Sequence, residues 1–571
     1  MVRNVVSFPP LDVDAVRAAI AGGETLTVEF KGEERQKLGD RELIEAVVCL
    51  ANGRGGLLLV GVEDSGMVTG ARPRHGDSTD PPRLQALIAN STQPPVQSVA
   101  CTVEIDGQPV LCVQVENSPR VVGSTRGMYQ RRAVGGDGKP MCVPIHAHEM
   151  LAHEIDRGAV DYSALPVPDA TWGDLDPLEF ERFRRLVRES AGYGDRVLAE
   201  LDDQDLARAL GLLEHHGGTV VICAGALLLF GREEAIRRHC PTHEAAFQAM
   251  RGLAVQVNDF FTWPLFRLAD EFLARFRARN TEEEIQFGLL RISVPAYSET
   301  AYREALANAL IHRDYTARGA VHVQWQDDQL EISNPGGFPG DITVDNFLIA
   351  PPRPRNPRIA DAFKRAGIVE RTGRGINRIF AEQLRFGHSP PDYARSTQES
   401  VVVVLPGGEA DLPLIRYVVE QERQGQPLTL PDLQIVTELL HQGRLRTGEV
   451  AAVLQVGEAE ARRQLARMVT RGLVAERGGG KGRTWHLAAA VYRELREPAA
   501  YVRVRGFDQA QQEQMVVSYV AAHGQITRGE AADLCSLSPD QASRLLRRLA
   551  GEGGPLVAVG DRRSRVYTRR A

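Results

Sequence analysis

Residues 303–315, Arg-Glu-Ala-Leu-Ala-Asn-Ala-Leu-Ile-His-Arg-Asp-Tyr, constrain the fold more than any other stretch of this chain. They hold no glycine or proline and are rich in alanine and leucine, so they read as a helix. Glu304, Asn308 and His312 recur every fourth residue and share one face, while Leu306, Ala309 and Leu310 form another. A carboxylate and an amide one turn apart beside an apolar stripe can hold a water and a metal-bound phosphate together. The same pattern also describes a helix with one solvated polar face. Behind the helix, residues 320–325 and 329–333 alternate like paired strands around Asp327-Asp328. The turn Asn334-Pro335-Gly336-Gly337 follows, and Gly373 and Gly375 precede a helix over 376–385. Glycines at a helix start let backbone N–H groups approach phosphate.

This order resembles the GHKL-type ATPase-like module, often labelled a helicase C-terminal domain, over about residues 291–405. The matching residues are Arg303-Glu304, Asn308-Ala309, His312-Arg313-Asp314-Tyr315, Asn334-Pro335-Gly336-Gly337, Arg355-Asn356-Pro357, Glu370, Gly373 and Gly375. The resemblance implies ATP or a related nucleotide with Mg²⁺ or Mn²⁺. Glu304 would orient the water as an ATPase base, and Asn308 would be the metal ligand. The turn at Asn334, Gly336 and Gly337 would read adenine, and Gly373 with Gly375 would form the phosphate lid. His312 and Arg313 would serve phosphate or cap the helix. One departure stands out. ATP-hydrolysing members carry Asp where Asn334 stands, and an amide loses charge-assisted strength, so the helix reads more as a sensor than as an engine.

Towards the N-terminus, a short helical pattern (Val13, Val16, Ile20) precedes the strand-like residues 26–30, a helix over 41–50, the loop Ala51-Asn52-Gly53-Arg-Gly55-Gly56 and an apolar run over 57–62. Glu24, Glu29 and Asp64, with Glu63 as an alternative to Asp64, are carboxylates at strand ends. Clustered carboxylates can bind divalent cations that activate water against a phosphodiester; alternatively Glu29 and Lys31 are a surface ion pair and Asp64 a turn residue. The blocks Glu24-Thr-Leu-Thr-Val-Glu29-Phe30-Lys31, Ala51-Asn52-Gly53, Leu59-Val-Gly61-Val-Glu63-Asp64-Ser-Gly66 and Met128-Tyr129-Gln-Arg131 resemble the AlbA-like core of the Schlafen family, over about residues 10–155. In some Schlafen proteins, residues matching the three carboxylates form a metal-dependent ribonuclease site; many bacterial relatives are nucleic-acid-binding regulators. Lys31, Arg131 and Arg132, with Arg120, Arg126 and Tyr129, suit phosphate contact and base stacking.

Two further patterns, at 432–487 and 511–569, read as helix–helix–helix–hairpin, the order of a winged helix. Their third helices, over 457–470 and 538–550, offer Arg462, Arg463, Arg467, Arg544, Arg547 and Arg548 to DNA. The hairpins offer Lys481 and Arg483, then Arg562, Arg563 and Arg565. Winged helices also serve as protein-interaction modules. Charge favours the nucleic-acid reading: from residue 441 onward 22 Lys+Arg face 13 Asp+Glu, net +9, on a body of net −15.

The fold expected is therefore α+β and multidomain. It comprises a Schlafen-like α/β core (1–160), a helical or mixed connecting region (161–290), a GHKL-like α/β sandwich (291–407) and two winged helices (430–492 and 508–571). No window approaches 18 uncharged apolar residues and no signal-peptide pattern opens the chain, so no membrane partner is expected. Seven cysteines without framework spacing read as free thiols in a reducing cytoplasm. Cys142, His146 and His148 lie close together but lack a second pair at zinc-finger spacing. The function expected is a nucleotide-responsive DNA-binding transcriptional regulator, with duplex DNA (RNA also open) as partner. By resemblance to GHKL modules it would be a homodimer or higher oligomer. The alternative is a Schlafen-type nuclease acting on RNA or DNA in cellular or antiviral defence.

Overall fold

The computed structural model describes residues 11–136, 138–190, 194–216, 219–252, 254–287, 290–340, 342–369, 374–477, 483–496, 509–535, 537–551, 553–561 and 565–570. The chain is mixed α and β throughout and divides into two compact units, the first made of the residues up to Tyr162 with a short segment from Pro339.

In the first unit a four-stranded sheet runs Val28–Lys31, Gly56–Val60, Gln108–Val115, Ser98–Ile105, with the first pair parallel and the others antiparallel. Both faces of this sheet are covered. Leu58 and Val60 pack with Leu43, Val47 and Leu50 of the helix Asp40–Ala51. Leu59 and Phe30 pack with Val16 of the helix Val13–Gly22. Burial on two faces is why the central strand is an unbroken apolar run and not an alternating one.

The second unit is built on a five-stranded sheet in the order Ala254–Phe261, Ala245–Arg251, Val321–Trp325, Gln329–Pro335, Ser400–Pro406. Two of these strands come from the segment expected to be a connector, and Ala245–Arg251 pairs in parallel with Val321–Trp325. The helix Glu299–His312 starts at Ser298, whose hydroxyl accepts from Ala301 N. Its Tyr302 stacks on Phe276 of the helix Leu265–Arg277, and the phenol donates to Phe272 O at 3.1 Å. Fully buried Arg313 ends the helix, donating to the carbonyls of Asp314, Thr242, Ala317 and Gly319. Buried Asn356 donates to Ile311 O and Arg313 O, closing the same terminus.

Further along the second unit, helices Leu430–Gln442, Thr447–Leu454 and Glu458–Thr470 lead into the hairpin Val474–Arg477/Thr484–Leu487 around a core of Leu433, Val436, Leu465, Met468 and Trp485. The order repeats with helices Gln509–His523, Arg528–Cys535 and Pro539–Leu549, and with strands Gln525–Thr527, Leu556–Val559 and Val566–Arg569. Ser538 and Pro539 begin the last helix in a capping box with Gln541. The two repeats are joined through Arg477. It is buried, pairs with Glu530 at 2.8 Å, and donates to Tyr519 Oη and to the carbonyls of His523 and Gln525. Among the described residues, no helix is long and apolar enough to cross a membrane.

The cysteine reading is corrected. Cys49 and Cys142 form a disulfide between the helix Asp40–Ala51 and the strand Pro140–Pro144, which also removes Cys142 from any zinc set. Cys101, Cys112, Cys223, Cys240 and Cys535 remain thiols.

Candidate nucleotide and nucleic-acid sites

Two side chains of the Glu299–His312 helix, buried Glu304 and half-buried Asn308, face the first turn of the helix Gly375–Arg385. A Cβ on Gly375 would lie 3.0 Å from Glu304 Oε2 and 3.4 Å from the Asn308 amide atoms, so only glycine gives this close approach without displacing them. Arg378, one turn into the second helix, lies 3.6 Å from Glu304 Oε1. The arrangement brings a carboxylate, an amide and a helix N-terminus together, the chemistry a phosphate bound through a metal requires. Gly373, expected as the other lid glycine, lies outside the described residues.

The turn after Asn334 is held rigidly. Gly336 sits at φ +92°, and a Cβ there would meet Arg355 and Asp314 at 2.7–2.8 Å. Buried Arg355 donates to Gly337 O at 2.7 Å and lies 3.7 Å from Asp314. Asn334 is buried, and its Nδ2 donates to Pro335 O at 3.0 Å. Its amide thus works inside the turn. Burial, and then the Arg355 charge, push His312 down to about 4, so it is neutral at pH 7.

In the first unit the expected carboxylate triad is not assembled. Glu29 is buried and ion-paired on both sides, with Lys31 at 2.6 Å and with Arg132. Glu24 lies 3.4 Å from the same guanidinium and accepts from Phe30 N at 2.9 Å. Asp64 is exposed, and its neighbour Glu63 accepts from Thr69 Oγ1 and Glu34 N. Among the described residues, no group of three His, Cys, Asp or Glu side chains could hold a metal ion. Glu24, Glu29 and Asp64, expected to act together, are therefore not grouped as a metal set in this structure. Arg132 is corrected too: its side chain is 2% exposed and turned inward, because two carboxylates and two backbone carbonyls claim it. Arg131, next in the strand, is half-buried. The Ala51-Asn52-Gly53 motif proves structural as well: buried Asn52 exchanges hydrogen bonds with Val122 and donates to Gln130 O.

Residues 24–138 match the family model "Schlafen, AlbA_2", and residues 319–405 match "Putative ATP-dependent DNA helicase recG C-terminal". The chain carries a Schlafen/AlbA-like domain and an ATPase-like domain. Residues 148–246 match a third model, described as a domain of unknown function, DUF8451. The solved structure of the DIP2311 protein from Corynebacterium diphtheriae aligns with 84% of this chain and 98% of its own, at 24% identity and a TM-score of 0.49. Comparison with curated proteins gives no match. The match to the ATPase-like domain begins after the Glu299–His312 helix, so what ties Glu304 and Asn308 to the matched residues is their approach to Gly375.

Beyond the Schlafen/AlbA-like and ATPase-like domains, the C-terminal arginines differ in what holds them. On Glu458–Thr470, Arg462 pairs with Glu458, and Arg463 and Arg467 pair with Glu460, so acidic neighbours offset each charge. Arg483 pairs with Glu476 and Arg548 with Glu513. Arg544 and Arg547 are exposed on Pro539–Leu549 and, among the described residues, donate only towards Asp540 O and Ser543 of their own helix. Arg565 is exposed. Lys481, Arg562 and Arg563 lie outside the described residues.

Proposed function

We propose that this protein is a nucleotide-responsive DNA-binding transcriptional regulator. The two C-terminal repeats, taken as winged helices, grip duplex DNA. The ATPase-like domain senses ATP or a relative with Mg²⁺ or Mn²⁺ at Glu304, Asn308, Gly375 and the Asn334–Gly337 turn. When bound, the metal would shield phosphate charge; Asn308 would hold it and Glu304 would orient the nearby water. The Schlafen/AlbA-like domain supplies a second nucleic-acid contact through Lys31 and Arg131.

One observation carries the reading. The helix Gly375–Arg385 begins against Glu304 and Asn308, and its Leu384 is buried in one core with Leu414 and Tyr417 of the intervening helix Leu412–Arg423 and with Leu433 of the first C-terminal repeat. Arg385 pairs with Glu422 at 2.7 Å beside it. A second tie runs in parallel: Gln455 donates to Val344 O and accepts from Leu348 N. A phosphate drawn to the start of the helix therefore bears directly on the packing of the DNA-binding repeat, the physical requirement for coupling two sites.

The test is duplex binding measured with and without ATP and Mg²⁺. Affinity should shift at least about 5-fold, the low end of ordinary coupling. ATP should also raise the melting temperature, and Asn308→Ala should remove both effects. Stabilisation by ATP that survives in Asn308→Ala, or equal affinity for all duplexes at physiological salt, would sink the proposal.

A further inference from the structure

We infer that Arg132 takes the place a catalytic metal would occupy in a nuclease of this fold, so the Schlafen/AlbA-like domain is internally neutralised and does not cleave by metal-activated water. A divalent ion does not fit the residues present. Glu24 and Glu29 bring two negative charges, and Arg132 and Lys31 already bring two positive ones. Each guanidinium nitrogen is engaged: Nε donates to Thr25 O at 3.1 Å, Nη1 pairs with Glu29, and Nη2 donates to Val28 O at 3.1 Å while facing Glu24. Two of those acceptors are backbone carbonyls, which stay in place whatever the carboxylates do. An incoming Mg²⁺ or Mn²⁺ would have to displace a buried guanidinium from two carboxylates and two backbone carbonyls, with no third carboxylate grouped beside them among the described residues to complete its shell. The consequence for ligands is electrostatic. An acidic pair that would repel a phosphodiester is cancelled, and no metal is needed to let nucleic acid approach.

The inference concerns residues 24–138 and does not rest on the nucleotide reading. It is tested on the full chain by Mn²⁺ titration followed by electron paramagnetic resonance, without nucleotide, beside Glu29→Gln and Glu24→Gln. Expected is the absence of any saturable Mn²⁺ site below about 1 mM that either substitution removes. Binding that either substitution abolishes would overturn the inference. The two readings of the site also predict opposite signs for these variants in a thermal melt without metal. Where carboxylates repel one another in an empty metal site, neutralising one raises the melting temperature. Where they hold a buried arginine, it falls, here by at least about 3 °C for Glu29→Gln. Glu24 is only half-buried, so Glu24→Gln folds under milder loss and carries the same sign. A rise in either variant would also overturn the inference.

Discussion

Gly375 is the residue on which the candidate nucleotide site turns, because its missing side chain is what lets a helix start touch Glu304 and Asn308. Gly375→Val places methyl groups into that contact and should abolish stabilisation by ATP while leaving the C-terminal repeats folded, as calorimetry with and without nucleotide would record. Arg132 teaches a different lesson at the same scale. Sequence pattern placed it beside Arg131 as a phosphate contact, yet strand alternation sends the two neighbours to opposite faces, one half-buried and one fully inside.

At the scale of elements, the helix Gly375–Arg385 and the Arg477 junction each join two parts of the second unit. Leu384→Ala should open a cavity shared by the ATPase-like domain and the first C-terminal repeat, costing about 2–5 kcal/mol in chemical denaturation. Arg477→Met strands Glu530 and several carbonyls and should cost ~3 kcal/mol. Its signature should be a second unfolding transition, as the last repeat separates from the one before it. A single unchanged transition would mean that the junction does not couple them. Of the third helices, the last is the stronger DNA candidate because Arg544 and Arg547 meet no acidic side chain among the described residues, whereas Glu458 and Glu460 offset the arginines of the earlier one. Replacing both Arg544 and Arg547 by Ala should lower the slope of log K against log salt by roughly two for duplex DNA.

For the molecule as a whole, acid is the informative variable. Burial pushes His312, His243 and His486 each down to about 4, helped by Arg355, Arg313 and Arg477 respectively. Unfolded histidine titrates near 6.5, so between about 6.5 and about 4 the unfolded chain binds more protons than the folded one. Stability from these groups is complete above about pH 6.5 and is lost as pH falls towards 4, by up to ~3 kcal/mol for each histidine. Melting temperature measured across that window should fall on acidification, and His486→Gln should flatten part of the fall.

The sequence by itself determined the elements whose signal is local. Helical spacing set the Glu299–His312 helix, turn chemistry set the Asn334–Gly337 bend, and capping residues set the start of Pro539–Leu549. It also carried the motifs by which two domains are recognised. Tertiary structure alone decided what those residues meet. The strand Ala245–Arg251, Ala-Ala-Phe-Gln-Ala-Met-Arg, is rich in helix formers and becomes a strand between Ala254–Phe261 and Val321–Trp325, which pair with it on either side. Cys49 finds Cys142, and Glu24 and Glu29 find Arg132, across long separations in the chain that no period of 2 or 3.6 residues encodes. For the Glu304–Asn308 face, sequence read alone left a solvated helix beside a phosphate site, and the motifs behind it favoured the second; that the start of the helix Gly375–Arg385 packs against both side chains is something only the tertiary structure decided.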